Sequence, residues 1–91
     1  MLYKKKVPKT SIENYVSSYE ALNVPDENEL PADCHPNNYW MSKVADEEVK
    51  LFNSKTSLFG IGGIEERDTY FGKIWIANHV RAIADLVLHL E

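Results

Sequence analysis

Cysteine is nearly absent from this chain. Cys34 is the single thiol among 91 residues, so no internal disulfide framework can form. That usage fits a reducing compartment and leads us to expect a cytoplasmic protein. Positive charge is also short: the net charge is −4, which argues against a nucleic-acid binder that relies on overall basicity. The single basic cluster, Lys4, Lys5, Lys6 and Lys9, reads as a solvated lead-in, with contact to a phosphate or an acidic partner as the functional alternative. No apolar run is long enough to span a membrane, because Asn78, Arg81 and Asp85 interrupt the one candidate. The first residues lack the apolar stretch of a signal peptide. Internal repeats are missing, as are the Cys-x2-Cys and His-x3-His spacings of metal sites. No cofactor motif is recognised, so neither a cofactor nor a metal is expected.

What is there begins with the C-terminal end. Ile74 to Leu90 contains twelve apolar residues and five polar ones: Asn78, His79, Arg81, Asp85 and His89. On a helix, Asn78, Arg81, Asp85 and His89 fall within an arc of about 80°. This stripe reads as a solvated edge, with a crevice for a polar ligand or docking line as the alternative. Arg81 and Asp85 are four apart and can pair. The remaining circumference is apolar enough to demand either the centre of the core or an oligomer interface.

The rest of the chain reads as follows. Thr10 and Glu13 have the spacing of a capping box. Ile12, Tyr15, Val16, Tyr19 and Leu22 follow at helical spacing, so a first amphipathic helix is predicted over 10–22, closed by Asn23 in a left-handed conformation and by Pro25. Residues 24–38 hold Pro25, Pro31 and Pro36 and read as an acidic loop, pinned by Leu30. A second amphipathic helix is predicted over 39–53. Aromatic and β-branched residues in 57–64 and 69–76, around the polar connection 65–68, predict a glycine-rich β-hairpin. One continuous helix from residue 68 or 69 is the competing possibility, at a cost of about 1 kcal/mol for Gly72. Asn78 is a good cap for the terminal helix.

Four features could carry chemistry or recognition. Cys34-His35 is a local thiol–imidazole pair, with His79 or His89 as distant partners. Residues adjacent in a loop usually point apart, so a plain loop cysteine is the simpler reading. Gly60-Ile61-Gly62-Gly63 has the texture of a phosphate cradle, but Glu65 and Glu66 follow where a helix N-terminus is required. A bulged strand is the expectation there. Tyr39 and Trp40 are interface anchors if exposed and the lid of the core if buried. The polar stripe is the fourth feature.

The fold class expected is α+β: a single domain over 1–91, with two amphipathic helices, a glycine-rich hairpin and an apolar C-terminal helix. An all-α fold with one long terminal helix is the alternative. A protein partner is expected, most simply a second copy in a homodimer, because the terminal helix has more apolar surface than so small a body can cover. Tyr39, Trp40, Val80, Ile83, Val87 and Leu90 are the expected interface. Cys34, His35, Asn78, His79, Arg81 and Asp85 form the candidate polar site. Two other classes compete with this one. One is a small regulatory partner of a larger protein, of the bacterial antitoxin or phage-modulator kind. The other is a ligand-binding, metal-binding or catalytic domain built on Cys34, His35 and His79. Binding is favoured over catalysis.

Overall fold

A computed structural model describes residues 2–24, 40–69 and 72–88. Strands β1 (Tyr3–Lys4), β2 (Asn14–Tyr15), β3 (Met41–Ser42), β4 (Phe52–Asn53), β5 (Ile64–Thr69) and β6 (Gly72–Ala77) accompany helices α1 (Ser18–Leu22) and α2 (His79–Leu88). The α+β class therefore holds. The strands form three two-stranded antiparallel sheets, β1–β3, β2–β4 and β5–β6. Single bridges extend them. Val16 accepts from the Ala77 amide at 2.8 Å and donates to the Trp75 carbonyl at 3.0 Å, which ties β2 to β6. Lys6 is tied in the same way to Glu47 and Val49.

The local elements depart from the sequence expectations in four places, each for a traceable reason. The first helix does not start at Thr10. The Thr10 hydroxyl accepts the Trp75 amide at 2.9 Å, and the Ser11 hydroxyl takes the amides of Glu13 and Asn14. Residues 14–16 are then extended, gripped by β4 on one side and β6 on the other. Helix α1 keeps five residues. Its cap residue Ser17 donates its hydroxyl to Asp85 instead of capping the helix, and Asn23 ends it with φ −97°, not left-handed.

The predicted helix over 39–53 is also absent among the described residues. Met41–Ser42 pairs with Tyr3–Lys4 and Phe52–Asn53 with Asn14–Tyr15. Asp46 between them has φ 63°, a conformation that breaks a helix. The basic lead-in is likewise no tail: it carries β1, and Lys6 meets Asp46 at 2.6 Å on the surface.

The glycine-rich segment is displaced from its predicted role. Residues 57–63 are turns, whereas Glu65, Glu66, Arg67 and Asp68, read as a connection, belong to β5. The β5–β6 register runs from Ile64↔Ala77 to Thr69↔Gly72. Alternation along β6 sends Ile74 and Ile76 into the core. Because β6 is a strand, the single long terminal helix is excluded.

The core gathers Tyr15, Val16, Ala21, Leu22, Trp40, Val49, Ile74, Ile76, Ala77 and Ala82. Trp40 is buried and donates its indole N–H to the Glu20 carbonyl at 2.9 Å. That corrects its assignment to an interface: it is part of the core. Burial also raises the Glu20 carboxyl above its ordinary pKa, with Lys5, 3.9 Å away, opposing the shift. Cys34, His35, Tyr39, His89, Leu90 and the predicted pin Leu30 lie outside the described residues.

Candidate functional site

Helix α2 begins where its cap chemistry dictates. The Asn78 side-chain oxygen accepts the Arg81 amide at 2.8 Å, satisfying one of the free donors of the first turn. The Asn78 amide donates to the Gly63 carbonyl at 2.8 Å. Gly63 has φ +78°, and a Cβ there would lie 2.7 Å from the Arg81 Cβ. Glycine is required at this position for both reasons. It lets the preceding loop close directly onto the helix.

That loop, residues 54–63, is a run of tight turns. Amides of Ser57, Gly60, Gly62 and Ile64 each reach back three residues to a carbonyl. The winding turns three carbonyls toward Arg81. Nη1 donates to Gly62 O at 2.6 Å and to Phe59 O at 3.3 Å, and Nη2 donates to Gly60 O at 2.7 Å. Nη2 also meets the hydroxyls of Ser57 at 3.1 Å and Tyr15 at 2.9 Å. The segment expected to be a bulged strand is instead a series of turns, and where its glycines have the texture of an anion cradle it does the electrical inverse, with carbonyls facing a cation.

Arg81 is completed by Asp85. Nε donates to Asp85 Oδ1 at 3.1 Å, the i,i+4 pair expected from sequence. Oδ2 accepts the hydroxyls of Tyr15 and Ser17, each at 2.7 Å. The guanidinium carbon stands 5.3 Å from the Tyr15 ring centre and 5.5 Å from that of Phe59, within cation–π range. Arg81 is 4% exposed and Asp85 1%. The solvated-edge reading of the stripe is overturned: its two charges are sealed inside, because Tyr15 of β2, the α1 cap residue Ser17 and the loop supply every partner a buried charge needs.

The chemistry of this centre is that of a fastener. Burial foremost, then the hydrogen bond and charge of Asp85, push the Tyr15 phenol up to about 12. The phenol stays neutral at ordinary pH and is no base. A cavity of about 280 Å³ bordered by Leu51, Phe52 and Leu88 reaches Tyr15 and Asp85, where both groups already have their partners. His79, the third member of the proposed Cys34–His35 constellation, has Nε2 at 2.8 Å from the Val24 carbonyl. Among the described residues no group of three or more His, Cys, Asp or Glu converges as metal ligands do.

The other face of α2 is the reverse. Val80, Ile83 and Val87 are 79%, 50% and 61% exposed. With Ala84 they occupy an arc of about 100°. Leu58, Phe59 and Ile61 are exposed on the neighbouring loop. A groove of about 500 Å³ joins the two, lined by Phe59, Gly62, Gly63, Val80 and Ala84 beside Asn78 and Arg81. Sequence reasoning missed Tyr15, Ser17, Ser57 and Phe59 as partners of the polar stripe. The signal available was the isolation of Arg81 and Asp85 as the two charges of an otherwise apolar helix, next to a glycine-rich segment with carbonyls to offer. Comparison of the chain with family models, curated proteins and solved structures finds no match.

Proposed function

We propose that this is a small protein-interaction domain that associates with a second copy of itself through the outer face of α2. One observation carries the reading: the helix withdraws both of its formal charges into the interior and leaves Val80, Ile83 and Val87 in water. Together with the loop side chains these make an apolar surface of several hundred Å², larger than monomers commonly leave uncovered. Among the described residues no helix is long and apolar enough to cross a membrane.

The pattern of the stripe favours a copy over an unlike partner. Read forward it is Val80, Ile83, Ala84, Val87; read backward the valines exchange and the large residue faces the small one. An antiparallel pair about a two-fold axis between 83 and 84 sets Val80 against Val87 and Ile83 against Ala84. A closed two-fold dimer needs that self-complementarity. Sedimentation or light scattering across the micromolar range is expected to give a mass rising from monomer to dimer, and Ile83→Asp is expected to hold the chain at the monomer mass. A monomer at every concentration refutes the proposal.

A further inference from the structure

We infer that the loop clamped by Arg81 is the second half of this interface, and that the groove between Phe59 and α2 receives Val87 and Leu88 of the second copy. The inference rests on the self-association proposed above and adds the anchor that makes it sufficient. The ten residues of α2 span about 15 Å, on a cylinder about 10 Å across. A strip of those dimensions supplies a few hundred Å² of accessible surface. A stable dimer of standard size uses about 800 Å² from each partner. The helix alone falls well short, and the adjoining apolar surface is the loop, with Leu58, Phe59 and Ile61 exposed beside it.

The geometry of the groove fits that role. Gly62 and Gly63 lack side chains, which leaves a concave floor between the Phe59 ring and the helix. Its inner wall is Val80 and Ala84. In the antiparallel arrangement the partner's Val87 lies against Val80, with the partner's Leu88 next to it, so these two side chains reach the groove mouth. Leu88 is part-exposed in the single chain and free to contribute.

Charge points to the same occupant. Residues 56–64 contain no charged side chain, and neither does the exposed stripe of α2. Two copies of net charge −4 repel in general, and an uncharged patch is where they approach at least cost. The loop is also held ready. Its Phe59, Gly60 and Gly62 carbonyls are bonded to Arg81, and the Phe59 ring lies over the guanidinium. An aromatic anchor fixed before association loses little freedom on binding.

The test compares the self-association of the full chain with that of Phe59→Ala by sedimentation equilibrium, and adds isotope-filtered NOE spectra of a mixed labelled and unlabelled wild-type sample. The expected result is a dissociation constant at least about tenfold higher for Phe59→Ala, with intermolecular contacts from the Phe59 ring to Val87 and Leu88 methyl groups. A wild-type dimer whose constant is unchanged in Phe59→Ala, and whose intermolecular contacts are confined to α2, overturns the inference and leaves the helix-mediated dimer standing. A wild-type monomer at every concentration removes both. If Phe59→Ala does not fold, the wild-type NOE pattern decides alone.

Discussion

The two faces of α2 invert the usual division of labour on a helix. The inner face carries Arg81 and Asp85 and is sealed; the outer face carries Val80, Ile83 and Val87 and is wet. The difference lies in what each face meets. Inward, the helix finds three hydroxyls, those of Tyr15, Ser17 and Ser57, and three loop carbonyls at hydrogen-bond distance. A buried ion pair is tolerated when its remaining donors and acceptors are satisfied, and is costly otherwise. Outward, among the described residues, nothing of the same chain covers the valines. Side-chain polarity alone therefore does not orient a helix; the partners offered by the rest of the fold do.

The sharpest way to break the inner face is Arg81→Ala. It strands the Asp85 carboxylate and releases the carbonyls of Phe59, Gly60 and Gly62. The expected loss is about 3–5 kcal/mol of folding stability, measured by chemical denaturation. That is a large share of the 5–15 kcal/mol typical of a whole domain. Arg81→Lys is expected to recover little, because an ammonium cannot reproduce the planar fork that reaches loop, tyrosine and aspartate together.

A gentler probe is alkaline pH. The Tyr15 phenol is raised from 10.0 to about 12 in the folded chain, so the folded state holds this proton more tightly than the unfolded state. Its contribution is complete below pH 10 and is lost as pH rises toward 12, at about 1.4 kcal/mol per pH unit. Denaturation measured at successive pH values should show this excess slope in the wild type and lack it in Tyr15→Phe. An identical slope in both places Tyr15 outside the buried network.

The smallest expected effect on folding belongs to the outer face. Ile83→Asp in the dilute chain is expected to change stability by no more than about 0.5 kcal/mol, since that side chain is half in water already. A loss of several kcal/mol would mean that Ile83 belongs to the core and that the two faces are not distinct.

The parts of this architecture legible in the sequence were those decided locally. Asn78 caps α2 through a bond to Arg81 three residues on, and Arg81 pairs with Asp85 within one helical turn. Both depend on short spacings that a sequence displays. The Thr10–Glu13 motif failed for the opposite reason: Trp75, 65 residues away, takes the Thr10 hydroxyl. The two-residue strands at Tyr3, Asn14, Met41 and Phe52 are too short to carry a period, and pairing across the chain creates them. The burial of Arg81 was hidden in the same way. Its partners Tyr15, Ser17 and Ser57 come from segments 24 to 66 residues distant, or reach it through Asp85.

The most direct measurement is methyl relaxation of Val and Ile residues with a soluble paramagnetic probe, at low and high protein concentration. The methyl groups of Val80, Ile83 and Val87 should be strongly broadened in dilute solution and protected in concentrated solution, while Ile74 and Ile76 stay protected in both. Protection of Val80, Ile83 and Val87 at every dilution, with the Arg81 side-chain N–H exchanging freely with water, would contradict the inside-out helix and the dimer built on it.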